Sequence, residues 1–174
     1  MLRPFTVDDA PALLASYLRN REHLLPYDPA RPDSFWTLEG QQARVADLVR
    51  QTQAGTTFPC GIFDGNRVIG TMTFNTIVRG PFCSTSLGYW VDVDETGKGL
   101  ATSAVAAMLL IADQQLGLHR VDASTMTTNL VSQRVLVKNG FEKYGTARNY
   151  LHIAGRWGDS HLYQRILNDR TPPT

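Results

Sequence analysis

Hydrophobic and polar positions along this chain follow two periods, and each switch between them marks an element. Residues 2–5 read as a short strand. Thr6 stands where a helix N-cap belongs, with Asp8 and Asp9 behind it, so a helix is predicted from about Asp8 to Asn20. Pro26, Pro29 and Pro32 then interrupt regular structure. Trp36, Ala43, Val45, Ala46, Leu48 and Val49 recur near the helical period among Gln41, Gln42, Arg44 and Asp47. They predict a second helix over about 35–53, with Gly55 just past its end. The period next shortens to two. Residues 57–63 and 67–77 are rich in β-formers, and Asp64-Gly65-Asn66 between them is a hairpin turn. Beyond the Gly80-Pro81 loop, a strand over 85–93 sets Leu87, Tyr89, Val91 and Val93 against Ser86, Gly88, Trp90 and Asp92. Residues 99–116 form a helix apolar nearly all round, closed by Gly117 and expected to be buried on more than one side. A strand over 119–126 and a helix over 130–138 follow, the latter ended by Asn139-Gly140. An antiparallel pair over 141–153 and 161–167, turning around 155–158, completes the chain. The order βααβββαβαββ predicts one α/β domain over 1–170 around a mostly antiparallel sheet, with 171–174 as a frayed tail.

Composition narrows the function. The 174 residues are 43% hydrophobic and 19% charged, enough apolar content to fold around a core. A formal net charge of +1 excludes a long polyanion as the main partner, so no nucleic acid is expected, while a small anion is compatible. Cys60 and Cys83 form no CxxC pair and read as free thiols of a reducing cytosol. The N-terminus has no apolar leader pattern and the longest apolar run, 104–112, is too short for a bilayer, so a cytoplasmic protein without a membrane partner is expected. His23, His119, His152 and His161 show no metal-binding spacing, and no metal is expected. A monomer or homodimer is expected.

One loop stands out. Asp94-Glu95-Thr96-Gly97-Lys98-Gly99-Leu100-Ala101 joins a predicted strand to a predicted helix. Glycines at alternate positions let successive N–H groups converge on an anion, and the helix start adds about half a positive charge. A glycine turn that only begins a helix would be spelled the same way. A P-loop is excluded because Leu100 follows Gly99, and a dinucleotide fingerprint because Thr102 takes the place of its third glycine.

The stretch Gly88-Tyr89-Trp90-Val91-Asp92-Val93, then Gly97-Lys98-Gly99-Leu100-Ala101, then Asn129-Leu130-Val131-Ser132 and Lys138-Asn139-Gly140-Phe141, resembles the GNAT acetyltransferases. Within them it is most similar to the branch of ribosomal-protein N-terminal acetyltransferases. The resemblance implies a GNAT-like fold whose splayed strands hold acetyl-CoA as co-substrate. It implies that the amides of about Thr96, Gly97, Lys98, Gly99, Leu100 and Ala101 bind the pyrophosphate, and that free backbone groups near Val91 and Val93 meet the pantetheine and thioester. Asn129 would touch the pantetheine arm and Ser132 would be the general acid for the departing thiolate. Thr96 departs from the Gln or Arg with which the family loop usually opens.

Acetyl transfer to an amine requires loss of a proton, a donor for the carbonyl oxygen and, for a thiolate, a proton on leaving. The base is where the chain departs most from its relatives: Leu151 and Ser86 stand where related enzymes carry acidic residues. Asp92, His152, His161 or a water relay are the candidates, set against a solvated strand-end role for Asp92 and surface or packing roles for the histidines. Ser132 and Asn129 could equally serve as helix-terminal caps. Trp90, Arg156 and Trp157 are candidates for the acceptor groove, although Arg156-Trp157-Gly158-Asp159 also reads as a plain hairpin turn. By resemblance the acceptor is the N-terminal α-amine of a protein or peptide. The alternatives are a small-molecule amine such as an antibiotic, and a silent acyl-CoA-binding or peptide-binding module.

Overall fold

A computed structural model describes residues 1–172. Its strands are β1 (Leu2–Pro4), β2 (Phe58–Asp64), β3 (Arg67–Val78), β4 (Ser84–Val91), β5 (Arg120–Met126), β6 (Glu142–Ile153) and β7 (Arg156–Ile166). They form one sheet in the order β1-β2-β3-β4-β5-β7-β6. Every pairing is antiparallel except β4 with β5. The helices are α1 (Ala10–Arg19), α2 (Arg21–Leu24), α3 (Leu38–Gln53), α4 (Leu100–Leu110) and α5 (Leu130–Lys138). The predicted order of elements holds, with the single turn of α2 added after α1.

Helices cover both faces, as a sheet buried on two sides requires. On one face α4 and α5 bring Val105, Met108 and Leu136 onto Met72, Phe74, Leu87, Val121, Ala123 and Tyr163. On the other, α1 and α3 bring Leu13, Tyr17 and Val45 onto Phe63 and Val68. The apolar character of α4 all round its axis fits its place against the sheet and beside α5.

Five boundaries differ from the sequence expectation: the helix expected over 99–116 ends as α4 at Leu110 and runs on as a π-helical turn (Ile111–Gln115), and four others move for a local reason. Thr6 starts a 3-10 turn (Val7–Asp9) rather than the helix itself, because Asp9 accepts hydrogen bonds from the Thr6 amide at 2.7 Å and hydroxyl at 3.0 Å. Phe35 and Trp36 lie in another such turn (Asp33–Trp36), and Thr37 caps α3 by accepting from Gly40 N at 3.1 Å. β4 ends at Val91, since Asp92 Oδ1 accepts from Asp94 N at 3.1 Å and bends the chain into a turn (Val93–Glu95). β7 begins at Arg156: Ala154 and Gly155, with φ of 50° and 78°, form the hairpin turn, and Arg156, Trp157 and Gly158 pair with Ile153, His152 and Leu151. The predicted tail extends to residues 173–174, which lie outside the described residues.

The parallel seam positions the site. β4 and β5 share only the rungs Ser84↔Arg120, Thr85↔Val121 and Ser86↔Asp122. Beyond them β4 stays with β3 and β5 stays with β7, so residues 87–91 of β4 lose their neighbour on one side. The sheet opens there as a fork.

Candidate active site

The fork opens toward the start of α4. Gly97 and Gly99 have φ of 76° and 81°, the left-handed region that side chains with a Cβ rarely adopt. Lys98 lies between them. The amides of Gly97, Lys98, Gly99, Leu100 and Ala101 meet no hydrogen-bond acceptor among the described residues. A run of unpaired donors at the N-terminus of a helix is an anion site by geometry and by dipole. The side chains of Leu100 and Ala101 pack on the core, which fixes the first turn of α4. Lys98 Nζ stands 3.2 Å from Glu95 Oε2 in an exposed pair.

Two expected members of this set are otherwise engaged. The Thr96 amide donates to Val93 O at 3.3 Å and its hydroxyl to the same oxygen at 2.8 Å. Val93 lies past the strand, and its amide donates to Asn20 Oδ1 at 2.8 Å. Val93 therefore offers no free N–H to a ligand. Val91 fits better: it is the last residue of β4, paired with Gly70 on the β3 side.

Asn129 and Ser132 stand on the other arm of the fork. Asn129 Oδ1 accepts from Ser132 N at 3.1 Å and so caps α5. The Ser132 hydroxyl is free of that bond and lies 2.9 Å from the Tyr89 hydroxyl across the gap. Burial pushes the Tyr89 phenol up to about 12, against a smaller opposing effect of its bond to Ser132. Tyr89 thus keeps its proton at neutral pH and can donate it to Ser132 Oγ, leaving the serine proton free to point into the fork. The sequence does not single out Tyr89; its only signal is a place on the apolar face of β4.

Asp92 has a different environment from the solvated strand end expected of it. Its side chain is 0% exposed. Arg19 donates to Oδ2 from Nε at 2.7 Å and from its NH2 group at 2.5 Å, and Arg67 donates to the same oxygen at 3.1 Å. Burial alone would raise its pKa, but hydrogen bonds led by Arg19 outweigh burial and bring it to about 2. A carboxylate held this firmly is a poor proton acceptor at neutral pH.

The family model for the acetyltransferase (GNAT) domain matches residues 1–142. The chain belongs to the GNAT acetyltransferases. It is 37% identical over 169 residues to the probable N-acetyltransferase YjcK of Bacillus subtilis, covering 96% of this chain and 93% of that one. Its structure resembles the ribosomal-protein-S5-alanine acetyltransferase of Vibrio fischeri, with a TM-score of 0.93 and 34% identity over 97% of this chain and 93% of that one. It also resembles Mycobacterium smegmatis RimJ in complex with CoA-disulfide, with a TM-score of 0.90 and 28% identity over 95% and 80% of the two chains.

The remaining candidates of this GNAT chain have local partners. His152 is exposed and meets the edge of Trp157, with ring centroids 5.4 Å apart. His161 Nδ1 is 2.9 Å from Thr146 Oγ1 and its Nε2 is 3.3 Å from Lys143 Nζ, so both ring nitrogens face other polar groups. Trp90 packs 5.2 Å from Tyr17, centroid to centroid, and its Nε1 donates to Tyr17 Oη at 3.4 Å, which makes it chiefly a packing residue. Arg156 and Trp157 are exposed at the start of β7. Leu151 pairs with Gly158 in the same hairpin, and Ser86 is exposed on β4 at the vertex of the fork.

Proposed function

We propose that this enzyme transfers the acetyl group of acetyl-CoA to the N-terminal α-amine of a protein or peptide in the cytoplasm. The observation that carries the reading is the fork between β4 and β5 facing the unpaired amides of Gly97 to Ala101. The cradle fits a linear ligand with a diphosphate: donors at its wide end and an unpaired strand edge leading to its vertex. Acetyl-CoA bound there supplies an activated thioester carbonyl and a thiol leaving group. The protein's part is then specific. The amides of Gly97 to Ala101 hold the diphosphate, the edge of 87–91 aligns the pantetheine arm, and Asn129 flanks it. A backbone N–H on that edge stabilises charge on the carbonyl oxygen. Ser132, backed by Tyr89 at 2.9 Å, protonates the leaving sulfur. Asp92 is committed to Arg19 and Arg67, so the acceptor is deprotonated by solvent, aided by the low pKa of α-amines compared with lysine. A terminal amine as acceptor is supported by the likeness to a ribosomal-protein-S5-alanine acetyltransferase, 34% identical over 97% of this chain.

Thiol release from acetyl-CoA, measured with peptides bearing free N-termini, the same peptides N-acetylated, and small-molecule amines, tests this. Release only with free α-amines is expected, and Ser132→Ala should lower kcat by about a hundredfold or less, at or below the low end for general acid catalysis, with little change in melting temperature. Release with small amines alone, or with none, would refute the acceptor assignment.

A further inference from the structure

The face of the sheet opposite α4 and α5 is covered by α1 and α3 only over its β1–β4 half. Past them the floor at the fork is polar and open: Asn75 and Ser86 are exposed, and Gly88, Asp122 and Ser124 are half-buried. The side chains of Ser86 and Asp122 share this face, because the two residues are paired on the last rung before the strands part. Asp122 thus places a carboxylate at the vertex of the fork, beside the position where Ser86 carries none.

Asp122 is built into its place. Its Oδ2 accepts from Ser84 Oγ at 3.0 Å, and Ser84 is itself buried. Arg120 donates from Nε at 3.0 Å and from its NH2 group at 2.5 Å to Oδ1, and from Nε at 3.1 Å to Oδ2. The Arg120 guanidinium also lies 5.3 Å from the centroid of the Tyr144 ring. Three donor atoms make these four contacts, because the Arg120 Nε–H is shared between the two oxygens, and a carboxylate offers about four acceptor positions. The side chain keeps 22% of its surface exposed, so a donor arriving from the groove can reach the carboxylate and take over the acceptor position that the shared Arg120 Nε contact holds least directly.

We infer that Asp122 is the anchor for the acceptor's ammonium group, an inference that rests on the acetyltransferase reading above. The donor substrate lies in the gap with α4 and α5 on one side, so the acceptor enters from the other face. The unpaired edge that would align the thioester, residues 87–91, begins one residue past Ser86, so Asp122 stands at the near end of that edge. The pairing also distinguishes substrate from product. A free α-amine is largely cationic at neutral pH and can bond to Asp122, whereas an acetylated amide is neutral and loses that attraction. Arg120 orients the carboxylate, yet its positive charge opposes the arriving cation, so its removal does not weaken recognition.

The test uses whichever peptide is turned over fastest in the thiol-release panel, titrated in its free and N-acetylated forms against the full-length protein saturated with CoA. Wild type should bind the free form at least tenfold more tightly. Asp122→Asn should bring the two forms within about threefold of each other while leaving the affinity for CoA unchanged. Arg120→Gln breaks the same ion pair but keeps the carboxylate, and should retain the wild-type ratio or exceed it. A wild-type ratio in Asp122→Asn, or an equal loss in Arg120→Gln, overturns the assignment. If no amine is turned over, the functional reading and the anchor fall together; turnover with unaltered discrimination in Asp122→Asn removes the anchor alone.

Discussion

Asp92 carries a full charge in a place that excludes water, and only its partners make that tolerable. Burial disfavours the ionised form, yet Arg19, Arg67 and the Asp94 amide all donate to it, and its pKa falls to about 2 from an ordinary 3.8. The folded value lies below the unfolded one, so the stabilisation is complete above about pH 4 and is lost as pH falls toward 2. The beneficiaries are the C-terminus of α1 and the turn that launches the glycine loop, since Asn20, next to Arg19, also accepts from Val93 N. Asp92→Asn leaves Arg19 facing an uncharged amide. Breaking a buried pair costs about 3–5 kcal/mol, and the partial exposure of Arg19 places this one at the low end. At about 2–4 °C per kcal/mol, the melting temperature at pH 7 should fall by about 6–12 °C. The gap between variant and wild type should narrow below about pH 4. In the folded variant the ascending limb of the pH–rate profile should stay where it is. A limb that disappears while the melting temperature holds would make Asp92 the base after all.

The glycine loop shows what an element's start can specify. Gly99 precedes α4 with a φ of 81°, and an added Cβ would meet no atom within 4 Å. Crowding therefore does not demand glycine here; the backbone does. Gly99→Val must hold a β-branched residue in the left-handed region, which costs about 1–3 kcal/mol, or rotate the amides out of their array. Lys98 contributes only an exposed charge already paired with Glu95. Isothermal titration with CoA should show a loss of more than tenfold in Gly99→Val and less than threefold in Lys98→Ala. Equal losses would mean that charge rather than backbone shape holds the anion. This loop was legible in the sequence because its signal is local: alternate glycines after a strand pattern. The span of α5, Leu130–Lys138, and its Asn129 cap were legible for the same reason. The end of β4 was not, since Val93 continues the alternation, and the strand stops because Asp92 turns the chain while Asn20, far off in sequence, takes the Val93 amide. The start of β7 was hidden because Trp157-Gly158-Asp159 reads as a turn, whereas Ala154-Gly155 makes it. The Tyr89–Ser132 contact and the Asp122 vertex depend on which strands meet and where they part, and no local pattern encodes that.

At the scale of the whole molecule, the fork divides one sheet into two halves joined by three parallel rungs. β1–β4 carry α1 and α3, while β5–β7 share the opposite face with α5, and α4 bridges from the end of β4 back to β5. No helix among the described residues is long and apolar enough to cross a membrane. A ligand lodged in the fork touches both halves, replacing strand pairing that the protein itself omits. Such a ligand binds only when the halves are correctly placed, so it stabilises the folded state by mass action. At a hundred times its dissociation constant, acetyl-CoA should contribute about 2.7 kcal/mol, which for a chain of this length is a rise of about 5–11 °C in melting temperature. Dephospho-CoA retains the diphosphate and the pantetheine arm and should approach the same shift. Pantetheine alone reaches the strand edge but not the amides of Gly97 to Ala101, so it should give little. A differential scanning series with the three compounds at matched concentrations reads this directly. If pantetheine matched acetyl-CoA, the loop at the start of α4 would not be the anchor; if acetyl-CoA left the melting temperature unmoved at millimolar concentration, the fork would not be its site.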